Sequence, residues 1–106
     1  MNNEVYEEKS IWTQEEVRAW AISKFGERGP LEIAVRGNKE MAELISAIAN
    51  EQDGQDIVEE CADVLVFLMQ ISDICGGDLL DAFHKKMNVN VKREWKLAKD
   101  GSHQHV

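Results

Sequence analysis

Residues 40–63, EMAELISAIANEQDGQDIVEECAD, decide the reading of this chain. The stretch holds two acidic pairs at i, i+3 spacing, Glu40 with Glu43 and Glu60 with Asp63, each inside a helix-forming run. At about 100° per residue, Glu40 lies within about 40° of Ile33, Leu44 and Ala47 on the helix circumference. By the same count Glu60 lies within about 60° of Ile57, Val64, Phe67 and Ile71. Both acids fall in the arc that should face the core. A buried carboxylate costs several kcal/mol unless it is paired or bound to a metal. Two such acids on consecutive helices point to a metal site.

Outward from this stretch the chain reads as helices. Thr13 and Glu16 form a T-x-x-E capping box that starts a first helix at about 13–24, with Val17, Trp20, Ala21 and Phe25 apolar. GERGP (26–30) breaks it, and Pro30 opens a second helix over 30–51. Gly37 costs that helix about 1 kcal/mol relative to Ala and predicts a kink or loop near 36–38. Asp53 to Asp56 is a turn. A third helix over 55–75 carries the dense run VLVFLMQI (64–71), which predicts a central helix packed on several sides. Gly76-Gly77 ends it, and Asp78 caps a fourth helix over 78–98. Residues 1–11 read as a loose acidic arm and 99–106 as a polar tail. There is no strand-type alternation of useful length, no internal repeat and no low-complexity segment. The expected fold is all-α, about four helices in an antiparallel bundle-like arrangement, with helices two and three side by side.

The 106 residues suit one domain over 1–106, with a core small enough that oligomerisation is expected to extend it. A net charge of −8 reads against a binder of nucleic-acid polymers, which needs a basic face. Cys61 and Cys75 have no metal-ligand spacing and are expected to be small buried hydrophobes in a reducing compartment. MNNEVYEEKS has neither a basic nor an apolar leader region, and no apolar run approaches the roughly 20 residues that span a bilayer. The expected location is the cytoplasm, with no membrane partner.

Oxygen-only ligands suit Mg²⁺, with Mn²⁺ as a substitute. Four acids exceed the need of one such ion, and a site with two or more ions can clamp both oxygens of a phosphoryl-type displacement. Lys86, Asn90 and Arg93 share one side of helix four and offer counter-charges for phosphate. Each signal has a plainer reading. A single E-x-x-E pair is usually a solvated face, as is a lone basic stripe. Trp12, Trp20 and Trp95 read first as core or interface residues. His84 forms only a D-x-x-H step with Asp81, where a di-iron bundle uses E-x-x-H twice. His103 and His105 fall in the tail.

The order E-x-x-E, 16 intervening residues (44–59), then E-x-x-D resembles the signature of the all-α nucleoside triphosphate pyrophosphohydrolases, the MazG-like group related to dimeric dUTPases. KKMNVNVKREW (85–95) is similar to that family's K-M-x-x-N-x-x-R-x-W segment, and the ending DGSHQHV looks like a closing segment of some members. The resemblance covers about residues 29–106. It implies Mg²⁺-dependent hydrolysis of a nucleoside triphosphate, dNTPs above all, between the α and β phosphates. The products would be monophosphate and pyrophosphate, in a house-cleaning role. It implies that Glu40, Glu43, Glu60 and Asp63 hold the ions, that one of these acids or a neighbour orients the attacking water, and that Lys86, Asn90 and Arg93 contact phosphates and sugar. It further implies a homodimer or homotetramer with the nucleotide near a subunit interface; Trp12, Trp20 and His105 are candidates for the base. The competing expectation is a non-catalytic helical interaction or scaffold dimer, using the apolar surface of helices one and three, in which the acids are buried ion-pair partners. A redox di-metal bundle would need histidine ligands that the helices do not space correctly.

Overall fold

The computed structural model describes residues 7–97 and 103–105. Four helices follow one another: α1 (Gln14–Phe25), α2 (Pro30–Ala49), α3 (Gly54–Ile74) and α4 (Leu79–Lys92). The local chemistry of their ends explains the boundaries. Thr13 Oγ1 accepts from the Glu16 N–H at 3.2 Å, and the Glu16 carboxylate accepts from the Thr13 N–H at 3.0 Å, closing the expected capping box. Lys9 bonds the same carboxylate and lies over the Trp12 ring, so the end of the expected loose arm is tied to α1. The Lys9 ammonium, then the Thr13 backbone and hydroxyl, lower the Glu16 pKa to about 2.

Pro30 stands at the start of α2 with Gly29 as its cap. The helix ends in a Schellman motif: Gln52 N–H donates to Ala47 C=O and Glu51 N–H to Ile48 C=O, both at 3.1 Å, with Glu51 in the left-handed region at φ 54°. Asp53 then caps α3 by accepting from Gln55 N–H and Asp56 N–H. The α3 end repeats the Schellman pattern with Gly76 at φ 80°, where Gly77 N–H reaches Ser72 C=O. Asp78 caps α4 through Asp81 N–H.

α2 and α3 form an antiparallel hairpin, and α1 packs on α3 from another side. Buried Val17, Ala21, Ile33, Leu44 and Ala47 make the core. α3 is central, as its density of apolar residues predicts, yet Leu65 and Leu68 face solvent. Phe25 is exposed as well, as are Cys61 and Cys75, against the expectation that both thiols are buried. Each cysteine stands on an outer surface that the small core leaves uncovered. No described helix is long and apolar enough to cross a membrane.

Three expectations are corrected. Gly37 marks neither kink nor loop, since α2 runs unbroken through it. A Cβ at Gly37 would stand 3.1 Å from Phe67 Cβ, so glycine is there to let two helix backbones approach. The second correction concerns the end of α4, which stops at Lys92, not 98. Arg93 is extended (φ −82°, ψ 148°), and Trp95 Nε1 donates to the Asn90 C=O at 2.8 Å, satisfying a terminal carbonyl. Asn and Val in NVNVKR are weak helix formers. Third, the chain is not free of strands. Trp95–Leu97 and His103–His105 pair antiparallel, with Trp95 opposite His105 and Leu97 opposite His103. The remainder of the expected tail, 99–102 and 106, lies outside the described residues, as do residues 1–6 of the arm.

The α2–α3 approach is testable. Gly37→Val is expected to cost about 1–3 kcal/mol by overpacking against Phe67, seen as a lower melting temperature. Gly37→Ala should cost less than Gly37→Val, because the smaller clash is set against a gain of about 1 kcal/mol in helix propensity. A Gly37→Val variant as stable as the parent would refute close packing at this point.

Candidate metal centre

The α2–α3 hairpin brings three of the four predicted acids together. One carboxylate oxygen each from Glu40, Glu60 and Asp63 lies within 4.8 Å of the others, near enough to share an ion. Glu40 and Glu60 are half-buried and Asp63 is exposed. Glu43, one turn along α2, adds its charge beside the Glu40 carboxyl and is exposed. The opposed positions of Glu40 and Asp63, like those of Gly37 and Phe67, follow from the antiparallel course of the two helices.

The electrostatics of the group are unfavourable without a cation. Burial first, and then the charge and hydrogen bond of Glu43 and the charges of Asp63 and Glu60, push the Glu40 carboxyl above its ordinary value of 4.5. Glu60 Oε2 is buried with no hydrogen-bond partner among the described residues. Among the described residues no ion pair involves Glu40, Glu43, Glu60 or Asp63. An orphaned buried carboxylate oxygen on a residue grouped with two other acids is an environment that a hard divalent ion fits, and the donor set is all oxygen.

Beside the acids lies a cleft of about 280 Å³. Trp20 and Phe25 of α1 line it in a T-shaped pair 5.8 Å apart, with Arg28 against the Phe25 ring. Glu40 and Asp63 form its acidic wall, and Gln70, itself only 3% exposed, contributes an amide. Asp63, Phe67 and Gln70 share one face of α3 because they are spaced i, i+4, i+7. Sequence reasoning placed Trp20 among the base candidates and passed over Phe25, Arg28 and Gln70. The signal for Gln70 was present: it is the one polar residue in VLVFLMQI.

Helix α4 stands apart from this cleft. Lys86 is exposed, Asn90 and Arg93 are half-buried, and none of the three lines the cleft. Asn90 Oδ1 is buried without a hydrogen-bond partner among the described residues. Because α4 ends at Lys92, Arg93 leaves the expected helical stripe and is placed by the extended cap. Trp12 lies at the foot of α1 beside Trp20. His84 is exposed on α4, and of the His103 and His105 side chains nothing is described.

No family model matches the chain. It is 34% identical over 93 residues to a dATP/dGTP diphosphohydrolase of Salmonella phage PMBT28, covering 88% of this chain but spanning only 30% of that relative's length. A dATP/dGTP diphosphohydrolase of cyanophage S-2L is 28% identical over 93 residues, which cover 88% of this chain and 84% of the relative. Among solved structures, the cyanophage S-2L MazG-like pyrophosphohydrolase, bound to dGDP and three catalytic Mn²⁺ ions per active site, superposes with a TM-score of 0.68 at 28% identity. The match covers 88% of this chain and 92% of that one. In sequence and in fold, over the same 88% share of the chain, it is similar to the MazG-like pyrophosphohydrolases.

Proposed function

We propose that the chain is a divalent-metal-dependent hydrolase of deoxynucleoside triphosphates, with dATP and dGTP as its substrates and cleavage between the α and β phosphates. The observation that carries this reading is the convergence of Glu40, Glu60 and Asp63 within 4.8 Å, with no ion-pair partner among the described residues, beside an aromatic cleft that Glu40 and Asp63 line. The names of the phage relatives and the Mn²⁺ and dGDP of the solved neighbour support the nucleotide and metal assignment.

In this reading Glu40, Glu43, Glu60 and Asp63 hold Mg²⁺ or Mn²⁺. The bound ions would offset the charge of the triphosphate and of the acids together. One acid of the group or its neighbourhood orients a water toward the α phosphorus. The water oxygen forms the new bond, the bond to the bridging oxygen breaks, and pyrophosphate leaves. The water proton passes to a carboxylate or solvent. Trp20 and Phe25 offer π-faces to the base, and the buried Gln70 amide offers it a donor and an acceptor.

Lys86, Asn90 and Arg93 would serve the phosphates and sugar of a neighbouring copy in a homodimer or homotetramer. Supporting this, α4 buries none of its residues and exposes Leu80 and Phe83. The radius of gyration, 16.6 Å, exceeds the roughly 13 Å of a compact domain of this length. The non-catalytic dimer reading needs the acids as ion-pair partners, and among the described residues of one copy none is paired.

The direct test is purified protein with Mg²⁺ or Mn²⁺ against dNTPs and NTPs, resolving pyrophosphate from orthophosphate. Monophosphate and pyrophosphate from dATP and dGTP are expected; orthophosphate alone would overturn the bond assignment. Glu60→Gln should lower kcat by at least about 100-fold, the scale of losing one preorganised charge-stabilising group. Its metal-free melting temperature should hold or rise, because an unpartnered carboxylate is removed; a drop of many degrees would mean a structural role.

Trp20→Ala should raise KM for dATP and dGTP about tenfold, since stacking a base is worth about 1–3 kcal/mol. It should leave the Mn²⁺-induced melting shift in place. An unchanged KM would move the base elsewhere.

The raised Glu40 carboxyl has a pH signature. Its folded pKa lies above the unfolded one, so ionisation costs stability above that range, and the cost vanishes as pH falls through the folded value toward 4.5. Metal-free Glu40→Gln should therefore melt above the parent at pH 7, and the gap should close as pH falls toward the ordinary carboxylate value of 4.5. A gap independent of pH would sink this account.

A further inference from the structure

α4 is the least supported helix of the chain. None of its residues is buried, and its packing within the chain is mainly against α3. Its direction is therefore set at its first turn. There a side chain from the far end of the sequence occupies the junction.

Gln14, the first residue of α1, is only 9% exposed. Its Nε2 donates to the Gly77 carbonyl at 2.7 Å and to Asp73 Oδ1 at 3.3 Å. Its Oε1 accepts from the Leu79 N–H at 2.8 Å. Leu79 opens α4, so this N–H is one of the donors that a helix cannot satisfy internally. The Asp78 cap bonds Asp81 N–H and leaves Leu79 to Gln14. One amide thus bridges the end of α3, the Gly76-Gly77 turn and the start of α4. Arg18 holds the other Asp73 oxygen at 3.4 Å. A carboxylate in place of the amide could accept from Leu79 but would set oxygen against the Gly77 carbonyl and the Asp73 carboxylate.

We infer that Gln14 is a positioning residue for nucleotide binding. It fixes the angle at which α4 leaves α3, and with it the placement of Lys86, Asn90 and Arg93. The inference rests on the proposed role of α4 as the phosphate-binding helix. Gln14 itself lies outside the acid cluster and the aromatic cleft. Its loss would weaken capture of the triphosphate while leaving the α2–α3 acids where they are.

The test compares wild type with Gln14→Ala and Gln14→Glu, and with Arg18→Ala as a control that removes an Asp73 contact without touching α4. Three readouts are taken: KM and kcat for dATP with Mn²⁺, the Mn²⁺-induced melting shift without nucleotide, and amide hydrogen exchange at the start of α4. Both Gln14 variants are expected to raise KM about tenfold, as loss of several hydrogen bonds from a buried junction allows. They should keep kcat and the Mn²⁺ shift and exchange the Leu79 amide faster. Arg18→Ala should leave KM unchanged. Unchanged exchange in Gln14→Ala overturns the latch, and faster exchange with unchanged KM overturns its role in binding. A Mn²⁺ shift lost together with KM shows general loss of structure and overturns it also. If wild type turns over no dNTP, the proposed reaction fails, and the latch stands or falls on hydrogen exchange alone.

Discussion

Mutual repulsion of carboxylates across one helix pair is the constraint around which the rest is arranged. Glu40, Glu60 and Asp63 approach within 4.8 Å, and no described cation pairs with them. The chain tolerates this because the acids ride on α2 and α3, whose packing is sustained by Ile33, Leu44 and Ala47 on the same face. Burial of that apolar seam contributes roughly 25 cal/mol per Å² and opposes the charge repulsion. A bound divalent ion would turn the repulsion into attraction. Glu60 Oε2 is buried with no hydrogen-bond partner among the described residues, which adds to the unfavourable balance.

The precision of the arrangement comes from backbone geometry. Gly37 lets α2 close on Phe67 of α3 one turn before Glu40, which sets the distance between the helices at the site. The Schellman turn at Glu51 and the Asp53 cap set the register between them. On the other side α1 supplies an aromatic wall through Trp20 and Phe25, and Gln14 ties the base of α1 to the start of α4. The site is thus held by elements from most of the chain, although its acids come from one hairpin.

What could be read from sequence was what depends on periodicity and local chemistry. The i, i+3 acid pairs, the apolar arcs around them, the T-x-x-E box and the Gly-Gly stop all act within a turn or two, and all stand in the structure. What could not be read depends on contacts between distant residues. Gly37 looked like a helix breaker because its reason, Phe67, lies on another helix. The exposure of Cys61 and Cys75 follows from how little surface one copy covers. The end of α4 was overrun because three-residue strands carry no periodic signal, although weak helix formers precede Trp95 and Asp100-Gly101 is a hairpin-type pair in sequence. Gln14 carries no signal in the sequence, its partners lying 59 to 65 positions away.

The seam shared by core and acids has a consequence for how such a sequence can vary. In many enzymes the reactive groups sit on loops, and the scaffold can drift while they stay put. Here Leu44 and Ala47 lie along the same helix face as Glu40, and Phe67 stands one turn from Asp63. A substitution that only repacks the interior also respaces the carboxylates. Core and acids are therefore coupled along one line through α2 and α3. That coupling does not extend to the aromatic wall of α1 and the outer face of α4, which are the parts that would meet the base and a neighbouring molecule. Divergence among descendants of such a chain would alter what is bound well before it altered the acidic centre.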